Sequence, residues 1–207
     1  MLNGNRIKSN RGRSPRDLYI TPPEIALEAI KIFCIDEYFP VPIGNVLDAG
    51  CGTGVWGKCL DKAVLSHNVL GIDIHPIVTI ENEDYYEDVI SADFIKFKPK
   101  ITRYNLIIGN PPYSLAEEFI RHSFELLESG GYIYFLLRLS FLEGIARGKG
   151  LFKEFPMKKV YICSRRPSFF STNGKHTTDT LAYAMFLWQK NYQGKTELGF
   201  LDWEYLK

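Results

Sequence analysis

Val46-Leu47-Asp48-Ala49-Gly50-Cys51-Gly52-Thr53-Gly54 reads as a short apolar strand running into a turn with glycine at alternate positions. A helix is expected to open near Val55 and to continue through Trp56, Cys59 and Leu60. Glycines spaced in this way let the backbone approach a ligand closely. The G-x-G-x-G run alone also fits a dinucleotide site or a plain tight turn. The residues beyond the helix narrow the reading. The next predicted strand, Val69–Asp73, ends in an acid nineteen residues beyond Gly54, the spacing from which a carboxylate reaches ribose hydroxyls. Strand, glycine turn, helix, strand and acid together point to an adenosine-containing cofactor.

Further along, residues 81–88 form an acidic, tyrosine-containing connection, expected to be a solvated helix. Val89-Ile90-Ser91-Ala92-Asp93-Phe94 reads as a short third strand ending in Asp93. A fourth, Leu106–Gly109, delivers Asn110-Pro111-Pro112-Tyr113. The two prolines cannot continue a strand. The chain therefore stops there, extended and rigid, at the kind of strand end where α/β sheets hold ligands. The chemistry suits a planar amino group as methyl acceptor. The Asn110 carboxamide oxygen and the Pro111 carbonyl can accept from its N–H groups and draw its lone pair out of ring conjugation, while Tyr113 offers a face for stacking. A turn that merely contains two prolines is the other reading. Leu115–Leu127 has helical spacing and is expected to stop at Gly130-Gly131. Tyr132–Leu137 is apolar throughout, as a strand buried on both faces would be. This alternation predicts an open parallel sheet with helices on both sides.

Upstream, residues 1–16 are polar and basic, the composition of a mobile arm; residues 17–207 read as one domain. Thr21 is a plausible N-cap for a helix over Pro22–Cys34, with Glu24 three residues on, and Ile25, Ala29, Ile32 and Phe33 share a face. In the last third, Ser140–Arg147 reads as a short helix and 148–150 as a loop. Val160–Cys163 and Leu181–Trp188 read as an antiparallel pair at the sheet edge. Between them lie a basic, aromatic turn, Arg165-Arg166-Pro167-Ser168-Phe169-Phe170, and a second turn at Asn173-Gly174. The tail beyond Trp188 is expected to add a small strand or cap.

The chain has 207 residues, 45% hydrophobic and 14% aromatic, enough for one sizeable core. It contains no apolar run of membrane-spanning length and no signal-peptide core at its basic N-terminus, so a soluble, cytoplasmic protein is expected. Cys34, Cys51, Cys59 and Cys163 lack metal-ligand spacing and read as reduced thiols; no metal site is expected. Net charge is +1, but unevenly placed. Residues 1–16 carry Arg6, Lys8, Arg11, Arg13 and Arg16 with no acid. Residues 138–175 carry nine Lys/Arg against two acids, whereas 17–137 hold eight basic and eighteen acidic side chains. Such segregation favours a side facing a polyanion; solvated basic segments without a ligand are the alternative.

Asp48–Gly54, Asp73, Asp93 and Asn110–Tyr113 occur in the order and spacing of class I S-adenosylmethionine-dependent methyltransferases. The Asn-Pro-Pro-Tyr turn resembles that of enzymes methylating exocyclic amino groups of bases or side-chain amides. Tyr19-Ile20-Thr21-Pro22-Pro23 is similar to the N-terminal cofactor motif of DNA adenine-N6 methyltransferases, including those of restriction-modification systems. The resemblance spans residues 17–188. It implies a three-layer Rossmann-like fold whose seven-stranded, mostly parallel sheet has the order 3-2-1-4-5-7-6, with an antiparallel edge strand. It also implies a cofactor site. Gly50, Gly52 and Gly54 would pass the methionine part, Asp48 would support the turn, and Asp73 would hold the ribose. Asp93 would accept from the adenine amino group with Phe94 nearby, and Thr21 would contact the carboxylate. Asp48 as a turn cap and Asp93 as a surface acid are the rival readings.

The implied activity is methyl transfer to adenine N6 in DNA, on a base flipped out of the duplex or already single-stranded. Asn110, Pro111, Pro112 and Tyr113 would be catalytic. Tyr113 would stack on one base face and Phe169, with Phe170 in reserve, on the other; core packing is the alternative for both phenylalanines. Arg165 and Arg166, with Lys158, Lys159 and the arm, would meet phosphates. Only nineteen residues follow Trp188, too few for a separate target-recognition domain. Specificity would then be weak, read by the chain's own loops, or supplied by a partner or second copy. In this the chain resembles compact methyltransferases of phage and mobile elements. Methylation of RNA or of a protein glutamine amide, and a non-catalytic nucleic-acid-binding module, are the competing readings.

Overall fold

A computed structural model describes residues 20–39, 44–64, 68–77, 85–98, 103–170, 176–178 and 180–204. The basic arm, Asn173-Gly174 and the acidic residues 81–84 lie outside the described residues. The first helix, α1 (Pro23–Asp36), is followed by β1 (Val46–Ala49), α2 (Val55–Val64), β2 (Val69–Asp73), β3 (Asp88–Ser91) and β4 (Tyr104–Gly109). Then come α3 (Ala116–Leu126), β5 (Leu127–Arg138), α4 (Ile145–Lys149), α5 (Leu151–Glu154) and β6 (Lys159–Cys163). A small pair, β7 (Ser168–Phe170) and β8 (His176–Thr178), precedes β9 (Tyr183–Gln189) and β10 (Glu197–Leu201).

The main sheet has eight strands in the order β10-β6-β9-β5-β4-β1-β2-β3. This contains the expected order, with β9 in the place of strand seven, and adds β10 from the tail. Strand β9 runs antiparallel to both β5 and β6, whereas β10 pairs parallel to β6. The antiparallel strand lies between β5 and β6, as strand seven does in the expected order, and β10 forms the edge beyond β6.

Alternate residues of the parallel strands face opposite sides of the sheet. In β4, Leu106 and Ile108 join Ile25, Phe33, Trp56 and Leu60 of α1 and α2 on one side. Ile107 joins Leu47, Phe94, Phe119 and Ile133 on the other, beneath α3. Both faces are covered, which explains the near-continuous apolar runs. The chain leaves β1 towards β2 on one side, and β4 pairs on its other side. The carboxyl ends of β1 and β4 thus form a switch point, where such sheets open a crevice.

Several local expectations are corrected. The N-cap of α1 is Pro22, with no side-chain cap bond; the helix begins one residue later than a Thr21 cap requires, and the Thr21 hydroxyl is engaged elsewhere. Gly130-Gly131 does not end α3, which passes directly into β5. Between the pairs Tyr104↔Leu127 and Leu106↔Tyr132, β4 advances two residues and β5 five. The glycines lie in that bulge, Gly130 at φ +79°. Tyr85 and Tyr86 are buried in the core rather than solvated, and the described end of that connection is a turn entering β3. In the 138–158 segment, a 3-10 turn (Leu139–Leu142) precedes α4, so Gly148 and Lys149 are helical instead of loop.

Candidate active site

Gly50, Gly52 and Gly54 all adopt positive φ, +83°, +50° and +79°, a region costly for residues with a Cβ. The turn is tied to the end of β2. The N–H groups of Gly50 and Cys51 donate to the Ile72 carbonyl at 2.7 and 3.0 Å, and Ile77 N–H donates to the Gly52 carbonyl at 2.9 Å. Asp73 receives Gly52 N–H on Oδ2 at 3.1 Å and His75 N–H on Oδ1 at 2.8 Å. Its carboxylate thus fixes the turn and stays half-buried beside it. Beneath, Asp48 is fully buried and accepts from the Tyr86 hydroxyl at 2.5 Å. Burial, the dominant cause, pushes its carboxyl up to about 7, opposed by the Tyr86 hydrogen bond.

Asp93 accepts from Ile95 N–H at 3.1 Å as N-cap of the 3-10 turn Phe94–Lys96, and pairs with Lys96 at 3.5 Å. The surface-acid reading therefore describes part of its role. Phe94 is buried, stacked on Phe119 at 4.6 Å and edge-on to His122. Its ring belongs to the core.

At the end of β4, Asn110 Nδ2 donates to Thr21 Oγ1 at 3.2 Å. Thr21, 4% exposed, thereby joins the entry to α1 to the Asn-Pro-Pro-Tyr turn across 89 residues. Tyr113 follows, its ring 5.7 Å from that of Tyr183 and beneath the Arg138 guanidinium, whose Cζ lies 4.7 Å from the ring centroid. Burial and the Tyr183 phenol push the Tyr113 hydroxyl pKa upward. A cleft of about 310 Å³ opens beside Tyr113, bounded by Ser114, Glu117 and Glu118 on one wall and by Phe141 and Arg147 on another.

Several substrate-side expectations change. Phe169 is 0% exposed and packs edge-on against Tyr183 at 4.9 Å; it is core, and no face is open for a base. Phe170 lies in β7, its side chain outside the described residues. Lys158 is paired with Glu37 and Lys159 with Asp36, the latter at 2.5 Å. Both sit at the amino end of β6, which runs parallel to β4, so they lie at the end of the sheet opposite Asn110. Their charges fasten α1 to the sheet and are not placed for phosphate. Arg165 and Arg166 follow the carboxyl end of β6, on the Asn110 side, and are exposed; Arg165 pairs with Asp202 at 2.9 Å. Pro111 is buried and Pro112 half-buried.

Sequence reasoning missed Tyr86, Arg138 as a partner of Tyr113, and Tyr183. For Tyr86 a signal was present. A Cβ on Gly57 would lie 2.4 Å from the Tyr86 ring, and one on Gly71 at 3.1 Å. Two glycines outside any turn therefore mark the passage of a large side chain. Among the described residues there is no group of His, Cys, Asp or Glu suited to a metal, and no helix long and apolar enough to cross a membrane.

A positive-φ glycine turn between two parallel strands, beside a strand-end acid at the switch point, defines a class I α/β fold built for a nucleoside-containing cofactor. Residues 35–142 match the methyltransferase small domain. The chain belongs to that family, and its cofactor is S-adenosylmethionine. Over 105 residues it is 31% identical to ribosomal RNA small subunit methyltransferase C of Pseudomonas putida (strain GB-1), covering 44% of this chain and 31% of the relative. Over 115 residues it is 25% identical to the type II methyltransferase M.CvrRI of Paramecium bursaria Chlorella virus XZ-6E, covering 55% and 29%. The chain thus matches about a third of the length of these curated relatives. A Burkholderia thailandensis 1,6-didemethyltoxoflavin-N1-methyltransferase with bound S-adenosylhomocysteine superposes with a TM-score of 0.57 at 14% identity, over 82% of this chain and 80% of that one.

The residues present fit the cofactor. A Cβ built on Gly50 would meet nothing within 4 Å, so the turn borders open space. The half-buried Asp73 carboxylate next to it keeps lone pairs beyond its two backbone bonds.

Proposed function

We propose that the chain methylates the exocyclic N6 amino group of adenine in DNA, on a base flipped out or single-stranded. The observation that carries this reading is the Asn110–Thr21 hydrogen bond at the end of β4, beside the glycine turn. It orients the amide with its NH2 group towards Thr21, and the Asn110 oxygen, the acceptor of the amide, would receive one N–H of a substrate amino group. The Pro111 carbonyl would take the second N–H. Together they would hold the amine with its lone pair out of conjugation. Gly50, Gly52, Gly54 and Asp73 would hold S-adenosylmethionine, which supplies an electrophilic methyl group. The neutral amine becomes acidic only as it attacks, so alignment matters more than a strong base. Tyr113 would present its ring to the base, and Arg165 and Arg166 lie on the side from which phosphates would approach.

A second reading, methylation of an RNA base, is favoured by the several ribosomal RNA methyltransferase C relatives. Transfer of a tritiated methyl group to DNA, RNA and protein pools separates these readings. Label in the N6-methyladenine of DNA, lost in Asn110→Ala, supports the proposal; label confined to RNA or protein replaces it.

A further inference from the structure

Beyond the end of β5 the chain projects a knob at the rim of the cleft that Tyr113 borders. The 3-10 turn Leu139–Leu142 and α4 build it, and its Phe141 and Arg147 form one wall of that cleft. At the tip stands Ile145, 78% exposed, with exposed Leu142 three residues before it. We infer that Ile145 is a wedge that enters the base stack of a DNA duplex and fills the place of the extruded target base. The inference rests on the reading of Asn110–Tyr113 as the site of adenine methylation.

The knob is anchored. Phe141 is buried, edge-on to Phe152 and to Phe186 of β9, both at 5.8 Å. Arg147 Nε donates to the Phe141 carbonyl at 2.9 Å, its Nη2 donates to the Glu143 carbonyl, and its guanidinium lies over the Phe141 ring at 4.9 Å. The arginine thus turns back from the tip and fastens the chain that leads into it. Gly144, at φ +120°, makes the bend. Held in this way, Ile145 stands off the core, and its apolar surface stays in water until a partner covers it. The tip is also narrow. Ile145 sits between Gly144 and Ala146, and a Cβ on Gly148 would meet nothing within 4 Å. Successive base pairs are about 3.4 Å apart, so a wedge must be a single side chain on a slim support.

Position and charge name the partner. Strand β5 runs parallel to β4, so the knob leaves the sheet at the Asn110 end, where Arg165 and Arg166 are exposed. Arg147 and exposed Lys149 against Glu143 leave the knob itself basic, which complements a polyanion. An adenine amino group inside a duplex is out of reach of Asn110, so the base must leave the stack. An apolar side chain inserted at the opened step offsets part of the lost stacking. Ile35, 70% exposed, lies instead at the end of α1 beside Asp36 and the amino end of β6, away from Asn110. A single strand has no paired stack to open, so the wedge bears on duplex substrates alone.

The test is tritiated methyl transfer from S-adenosylmethionine to duplex DNA free of N6-methyladenine and to the same DNA heat-denatured. Ile145→Ala, Ile145→Leu and Ile35→Ala are compared with the wild type, and unchanged S-adenosylhomocysteine affinity certifies folding. Ile145→Ala is expected to lower the duplex rate on the order of 10-fold and to leave the single-strand rate nearly unchanged. Ile145→Leu, which keeps the apolar bulk, should retain most of the duplex rate, and Ile35→Ala should match the wild type on both substrates. Equal losses on both substrates, or no loss on either, would overturn the inference, as would a wild type active only on single strands. In each of those cases label still enters N6-methyladenine, and the proposed function stands. A wild type that labels neither form of DNA removes the proposed function, and the wedge with it.

Discussion

The Tyr86 hydroxyl donates to the buried Asp48 carboxylate at 2.5 Å and accepts the N–H of Gly57 at 3.2 Å. One phenol therefore joins the end of β1 to the first turn of α2, bracketing the glycine turn from below. Tyr86→Phe leaves both groups buried without this partner. It should cost about 1–3 kcal/mol of stability and weaken S-adenosylmethionine binding, measured by thermal melts and calorimetry; unchanged values in both would remove Tyr86 from this role.

Asp48 makes stability depend on pH. Its folded pKa, about 7, stands above the ordinary 3.8, so between these values the folded state holds the extra proton. Its contribution to stability is fully present below 3.8 and is lost as pH rises through about 7. Melting temperature should therefore fall from pH 5 to pH 8 more steeply in the wild type than in Asp48→Asn. Parallel profiles would show that Asp48 is not the titrating group.

Gly109 immediately precedes Asn110, where a Cβ would lie 2.5 Å from the Ala49 carbonyl oxygen. That obstacle is backbone and cannot swing aside. Gly109→Ala should push β4 from β1 at the switch point, costing about 1–3 kcal/mol and lowering turnover more than cofactor affinity. Steady-state kinetics beside calorimetry measures the split.

The two basic pairs that flank β6 should behave oppositely on nucleic acid. Arg165→Ala/Arg166→Ala should flatten the log–log salt dependence of duplex binding by up to about 0.9 for each phosphate no longer neutralised. Lys158→Ala/Lys159→Ala should leave that slope unchanged and lower the melting temperature, because these lysines hold Glu37 and Asp36 at the end of α1. The reverse pattern would place the nucleic acid at the other end of the sheet.

Phe169→Ala removes a fully buried ring and should cost about 3–5 kcal/mol of stability. Below its lowered melting temperature, binding to oligo(dA) and to a strand of equal length carrying abasic sites should change equally. A loss confined to the base-bearing strand would return Phe169 to the base site.

The strand order around the glycine turn was legible because its causes are local. Parallel strands buried on both faces must be apolar throughout, and three consecutive alternate positions at positive φ must be glycine. The prolines after Gly109 had to end β4, which put Asn110 at a strand end before any contact was known. What escaped were pairings across long stretches of chain. Thr21 looked like a helix cap, and only folding brought its hydroxyl to Asn110, 89 residues away. Lys158 and Lys159 shared a basic segment with Arg165 and Arg166, but the run of β6 carries the two pairs to opposite ends of the sheet. Phe169 could have faced a base or the core. Packing against Tyr183 buried it, because burial depends on which surfaces meet, and that is a property of the closed sheet and not of any local pattern.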